Sequence, residues 1–290
     1  MLKFRRILFP VDFSSSSNHM APYVAGIARR FHSHVSLLHI LDVSAIERPS
    51  PLHASGLQTE YEEAVWKQRE SELASFARIT FYGLDVTRSL ELGDAADGIA
   101  QYIERNSIDL VVMPTHGLGK FRWLLLGSVT AKVLHDARCP VWTMVHCEMP
   151  PPYDADKIRS VVCGIDPFSE STAMIEMASG IAAEFGATVR LVHAISAPDA
   201  RSESSFNADF KRFLFDNAQE WTAKIQEKMH TAWDVSIQGG SVSSVIREAA
   251  IHYQADLVII GRGSLPNRLG RFRTHVGAII RDSPCPVLSV

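Results

Sequence analysis

The sequence predicts an α/β chain of two Rossmann-like domains in tandem, each an open parallel sheet with helices on both faces. Three observations carry that expectation. Short β-rich apolar runs alternate with segments of helical period. The runs IDLVVM (108–113) and ADLVII (255–260) are apolar almost throughout, as strands covered on both faces are. And most of the pattern is written twice.

The repeat is read block by block. ILFPVDFSSSS (7–17) parallels VVCGIDPFSES (161–171), and FHSHVSLLHI (31–40) parallels FGATVRLVHAI (185–195). IDLVVMPTHG (108–117) parallels ADLVIIGRGS (255–264), and VLHDARCPVWTM (133–144) parallels IIRDSPCPVLSV (279–290). Four matched blocks in one order mark a tandem duplication. CEMPPPYDAD (147–156) lies between the copies, and its three consecutive prolines favour a stiff extended connector. The expected organisation is therefore a first domain over 1–147, a linker over 148–156 and a second domain over 157–290.

In the first copy the run Arg6–Val11 reads as the opening strand. SSSSN (14–18) supplies hydroxyls and an amide to cap a helix over His19–Phe31, with phosphorylation as the other reading of those serines. His34–Leu41 is the second strand; its His39, like His193 in the second copy, is expected to be buried and hydrogen-bonded. A long helix follows over Gln58–Ile79, its apolar stripe made of Tyr61, Ala64, Val65, Leu73, Phe76 and Ile79. Its counterpart at 206–229 carries Phe206, Phe210, Phe213, Leu214, Trp221 and Ile225 at the same spacing. Strands at Val86–Leu90, Leu110–Pro114 and Val141–Val145 then alternate with helices at Ala95–Arg105 and Ser128–Asp136. Alternation of this kind gives right-handed crossovers and a doubly wound sheet. Ligands of such sheets sit beyond the carboxyl ends of the strands.

Composition narrows the partners. Over 290 residues, 46% apolar and 21% charged content describe a globular chain, and a net charge of −3 argues against nucleic acid and anionic membranes. No apolar run approaches the ~20 residues that cross a bilayer. MLKFRRILFPVD is too briefly apolar for a secretory leader, so the cytoplasm is the expected location. Cys139, Cys147, Cys163 and Cys285 form no CxxC and read as buried small hydrophobes. His32 and His34 share a face if their segment is extended, but no HExxH spacing accompanies them and no metal site is expected.

The stretch PTHGLGKFRWLLLGSVT (114–130) carries the chemistry. A strand empties into a loop with Gly117, Gly119 and Lys120, and a helix starts near Gly127-Ser128. Glycine at 117 and 127 lets backbone approach an oxygen without a Cβ in the way. Ser128 is the N-cap candidate, and Val129 and Thr130 would present open helix N–H groups, which bind anions. Lys120 adds a mobile cation. GxxxxGK[ST] is absent, which argues against a motor-type ATPase.

At these residues the chain resembles the universal stress protein family, once per copy. That family's pattern is Gly-x-x-Gly, nine residues, then Gly-Ser/Thr; this chain offers Pro114-Thr115-His116-Gly117, nine residues, then Gly127-Ser128. PVDFS (10–14) and LLHILD (37–42) resemble the family's flanking strands. The resemblance implies the adenine nucleotide α-hydrolase-like fold, five parallel strands ordered 3-2-1-4-5. It implies ATP, with Mg as its counter-ion, the adenosine lying between Pro10, Val11, Asp12 and Leu41. The phosphates would meet Pro114, Thr115, His116, Gly117 and Lys120 and the helix start at Gly127, Ser128, Val129 and Thr130. Asp12 has only acceptors when ionised, so it suits ribose hydroxyls or an adenine amino group. Pro114 stands where the family has glycine, removing a donor, which lowers the affinity expected of this copy.

The second copy reads GRGSLPNRLGRFRTHVG (261–277), with Ser264 and either Thr274-His275 or Arg273-Thr274 in the motif positions. A motif glycine is lost either way, and ATP binding is expected mainly in the first copy. Arg262, Arg268, Arg271 and Arg273 read as a solvated basic loop, as a site for another anion, or as a patch pairing with acids on the first copy. No nucleophile or partnered carboxylate is spaced to make His116 a base, so no catalytic residue is expected. The expectation is a nucleotide-binding regulator in stress adaptation, without fast catalysis. Its alternatives are a slow ATPase and a nucleotide-free interaction protein. The apolar ends CPVWTM and CPVLSV favour a homodimer, since strand five often mediates pairing in the family that the chain resembles.

Overall fold

RILFP, a β-rich run with no turn residue before its closing proline, forms β1 (Arg6–Pro10). The computed structural model describes residues 2–42, 57–116, 126–145, 147, 157–166, 171–195, 205–262 and 271–290. In chain order the first half continues with α1 (Ser15–Phe31), β2 (His34–Leu41), α2 (Leu57–Ser75), β3 (Val86–Leu92), α3 (Ala95–Arg105), β4 (Leu110–Pro114), α4 (Ser128–Asp136) and β5 (Val141–Met144). The second half repeats it as β6 (Ser160–Gly164), α5 (Ser171–Phe185), β7 (Thr188–Ile195), α6 (Ser205–Met229), β8 (Asp234–Gly239), α7 (Val242–His252), β9 (Leu257–Ile260), α8 (Arg271–Asp282) and β10 (Val287–Ser289).

Strand order is β3-β2-β1-β4-β5 in the first half and β8-β7-β6-β9-β10 in the second, the same 3-2-1-4-5 pattern in each. β1 runs parallel to β2, with Ile7 opposite Val35, and parallel to β4, with Ile7 opposite Leu110. β6 is held between β7 and β9 in the matching way. All five residues of β4 are buried, which is why its sequence lacks alternation. Met20, Val24 and Ile27, one turn apart along α1, are all 0% exposed and cover the sheet. Phe9 is buried under the same layer, and truncating it to alanine would cost roughly 3–5 kcal/mol.

By contact the chain divides into two compact units, one of Lys3–Val141 and His146–Ala155, the other of Met1–Leu2, Trp142–Val145 and Asp156–Val290. The linker expected at 148–156 lies outside the described residues. No helix among the described residues is long and apolar enough to cross a membrane.

Several boundaries differ from expectation for local reasons. α1 begins at Ser15, not His19, because Ser14 caps it: the Ser14 hydroxyl accepts from the Ser17 amide. α2 stops at Ser75, and Ala77 enters the left-handed region at φ 46°, so Ile79 leaves the apolar stripe and is 91% exposed. Phe213 of α6, also assigned to a covering stripe, is 60% exposed. β3 runs on to Leu92, while β1 and β5 stop one residue short, at Pro10 and Met144. His32 and His34 do not share a strand face: His32 caps α1 at φ 52°, while His34 opens β2 beside Asp85 at 3.0 Å.

Candidate functional site

The strand order reverses between β1 and β4. Chains leaving Pro10 and Pro114 therefore diverge and open a crevice at the carboxyl edge of the sheet. The serine-rich turn after β1 is ordered by Asp12. One of its carboxylate oxygens accepts from the Ser14 amide at 3.0 Å and from the Ser17 hydroxyl at 2.6 Å. This turn places Phe13 in the left-handed region at φ 59°, with its ring 4.6 Å from that of His39. The Arg69 guanidinium of α2 lies 5.7 Å from the Phe13 ring and pairs with Glu72.

His39 reaches back from β2 to the carbonyl of Val11, its Nδ1 at 2.7 Å. A carbonyl only accepts, so Nδ1 carries the proton. Burial holds the imidazole below its ordinary value, helped by the Arg69 charge and opposed by the Val11 carbonyl. His193 makes the same bond to Ile165 at 2.9 Å. Both histidines are half-buried rather than fully enclosed. The carbonyl of Leu41, on the other flank, accepts from the Gly93 amide at 3.1 Å. Gly93 sits at φ 143°, a conformation that a side chain resists, and Gly240 repeats it at φ 153°.

On the β4 side the chain passes through Thr115, 1% exposed, and His116, whose Nδ1 lies 2.9 Å from the Thr115 hydroxyl. The expected sites at Gly117 and Lys120 lie outside the described residues. α4 is capped by Gly127, not by Ser128: the Gly127 carbonyl takes the first helical bond, from the Ala131 amide at 2.8 Å. Ser128 is instead the first helical residue, and it is exposed. Gly127 makes no side-chain cap bond and the first turn holds no acid, so the positive end of α4 at the crevice is uncapped among the described residues. Thr130 is buried and gives its hydroxyl to the Pro114 carbonyl at 3.2 Å. Its side chain thus fixes the helix to the strand end, and Val129 beside it is half-buried.

α3 and α4 are tied at the rim by Lys132, which pairs with Asp97 at 2.6 Å and Asp94 at 3.5 Å. Asp94 also caps α3, accepting from the Ala96 and Asp97 amides at 3.0 Å. The Asp97 amide above all, with Lys132, holds its carboxyl below the ordinary range. Sequence reading gave Ser17 only a capping role and missed Gly93 and Asp94. A Gly-Asp pair just after a strand and before a helical period was the available signal for the last two.

In the second half a cavity of about 90 Å³ opens at the carboxyl edge of β6, β7 and β9, with Asp166, His193, Arg262 and His275 among its lining residues. Arg271 and Arg273, expected in a basic loop, belong to α8. Ser264 and Arg268 lie outside the described residues. Among the described residues no three of His, Cys, Asp and Glu gather as metal ligands would.

The universal stress protein family model matches residues 3–145 and again 157–290. A universal stress protein of Methanocaldococcus jannaschii is 28% identical over 139 residues, spanning 48% of this chain and 80% of its own length. One from Synechocystis is 30% identical over 142 residues, spanning 49% of this chain and 85% of its own. The crystal structure of a universal stress protein from Archaeoglobus fulgidus matches 99% of this chain and 98% of its own, at a TM-score of 0.68 and 19% identity. That last likeness concerns the fold.

Proposed function

Because this chain belongs to the universal stress protein family, with two such domains in tandem, we propose that it binds ATP mainly in its first half and acts as a nucleotide-responsive regulator in stress adaptation. Proteins of this family bind adenine nucleotides. One observation carries the reading for this chain: the open start of α4 at Gly127, set beside the crevice between β1 and β4. Main-chain N–H groups at a positive helix end hold phosphate oxygens without any catalytic side chain.

The adenosine lies along Pro10, Val11, Asp12 and Leu41. Asp12 is held by its turn through one oxygen, so the carboxylate is pre-aimed for ribose hydroxyls or the adenine amino group. Phosphates follow the loop from Pro114 through Thr115, His116 and Gly117 to Lys120, then the amides of Ser128, Val129 and Thr130, with Mg as counter-ion. The Nδ1 of His116 is engaged with the Thr115 hydroxyl, which supports binding without fast turnover. The protein works in the cytoplasm as a homodimer in this reading.

Freshly purified protein, denatured and analysed by mass, is expected to release about one adenine nucleotide per chain. None released and no heat on titration with ATP would overturn the reading; two per chain would overturn its restriction to the first half.

A further inference from the structure

Charge is not spread evenly over this chain. Its net value of −3 argues against an anionic membrane for the molecule as a whole. Yet residues 15–34, from α1 to the start of β2, contain no acid and end on Arg29, Arg30, His32 and His34. Residues 76–85, between α2 and β3, bring Arg78 and a single acid, Asp85, which pairs with His34 at 3.0 Å. His34 and Asp85 stand at the amino ends of the paired strands β2 and β3. This corner therefore lies at the amino edge of the sheet, opposite the crevice between β1 and β4.

The segment 76–85 is a fixed projection. Phe76 and Phe81 are buried and hold it to the body. The Arg29 guanidinium donates to the Thr80 carbonyl at 2.7 Å, and the Tyr82 amide donates to the Ile79 carbonyl at 3.2 Å. A carbonyl carries no net charge, so the first bond orients Arg29 without neutralising it. Arg88, which donates to the Leu73 carbonyl at 3.0 Å, is held below its ordinary value by burial first and by the Arg78 charge second. On this frame Ile79 and Tyr82, three residues apart, are 91% and 85% exposed.

The second copy has the same fold without these features. α5 ends Ala183-Glu184-Phe185 where α1 ends Arg29-Arg30-Phe31, and Gly186 takes the left-handed position held by His32. Residues 230–233 alone join α6 to β8, where the first half spends 76–85 between α2 and β3. No large apolar side chain is exposed within 230–233. The fold thus requires neither the two arginines nor the projecting turn.

An aliphatic and an aromatic side chain raised among arginines match the surface of an anionic bilayer, where tyrosine sits at headgroup depth and cations meet lipid phosphates. A soluble polyanion would engage the arginines and leave Ile79 in water. Two projecting side chains also offer a protein partner far less than the roughly 800 Å² per side of a stable interface.

We propose that this corner of the first half docks the protein reversibly on anionic lipid, with Ile79 and Tyr82 entering the headgroup layer and Arg29, Arg30 and Arg78 meeting lipid phosphates. Docking here leaves the crevice turned away from the bilayer, and the proposal does not depend on ATP binding.

The test mixes the full chain at low salt with sedimenting vesicles of phosphatidylglycerol and phosphatidylcholine, or of phosphatidylcholine alone. Partition is expected onto the anionic vesicles only, and it should fall as salt rises. Each arginine near the surface strengthens binding about fivefold, so Arg30→Glu combined with Arg78→Glu should weaken it at least about twentyfold. Ile79→Asp combined with Tyr82→Ser should weaken it at least about fivefold. All four residues are exposed, so both variants keep the fold. Equal partition onto both vesicles, or none onto the anionic ones, would overturn the proposal. So would binding that the arginine variant leaves intact. Loss in the arginine variant with none in the turn variant would overturn it in favour of a soluble polyanion.

Discussion

The amide of Gly127 donates to the carbonyl of Thr115 over 3.0 Å, and a Cβ on Gly127 would stand 3.0 Å from that same oxygen. One bond thus closes the loop between β4 and α4 and leaves no room for a side chain at the closure. The helix start is held against the strand end from which the crevice opens.

Gly127→Val must push the two backbones apart, moving the Ser128 and Val129 amides off the phosphate path. Affinity for ATP is expected to fall at least about tenfold, read by calorimetry. Unchanged heats would show that the α4 start takes no part.

Asp12→Ala removes the acceptor of the Ser17 hydroxyl, and Ser17 is 1% exposed. Leaving a buried donor unsatisfied costs about 1–3 kcal/mol, visible in urea unfolding. An unchanged urea midpoint would contradict the part given to the Asp12 carboxylate in this turn.

His39 is held below its ordinary value of 6.5, with burial as the leading cause. Well above the unfolded value both states are neutral, and the native state is not penalised. As pH falls below it, the unfolded chain takes up a proton that the native chain resists, so stability drops until pH passes the lowered native value. The urea midpoint should therefore decline as pH falls through the unfolded value of 6.5, and His39→Gln should flatten part of that decline. A variant as pH-sensitive as the parent would assign the effect elsewhere.

None of the four cysteines is in a disulfide and all are buried, and burial pushes the Cys163 and Cys285 thiols up to about 12. A thiolate-selective reagent at about pH 8 should leave the native chain unlabelled and react fully once it is unfolded. Fast labelling of Cys163 in the native state would contradict its enclosure.

Long-range order was legible where side chains announce it. His34–Leu41, Ala95–Arg105, Leu110–Pro114 and Ser128–Asp136 fall where the apolar period places them. The start of α1 was not, because three serines in a first turn read as loop: Ser16 and Ser17 are buried by their bonds, not by their hydrophobicity. The capping role given to Ser128 went to Gly127, since a glycine that closes a loop through its own amide needs no hydroxyl. Phe13 at positive φ had no local signal at all; a phenylalanine there is held by the Asp12 turn and its ring neighbours. The second-half cavity was invisible for a simpler reason. Gly164 lines it without a side chain, and an empty volume leaves no letter in a sequence.

Val11 and Ile165 each have their carbonyl bolted by a histidine from the adjoining strand, at 2.7 Å and 2.9 Å. Each sill is thus fixed from within the sheet. Evolution, or an engineer, can rewrite the loops in either copy and find the aspartate beside the sill still at its post. Duplication then yields two receptacles with one frame and separately replaceable fittings.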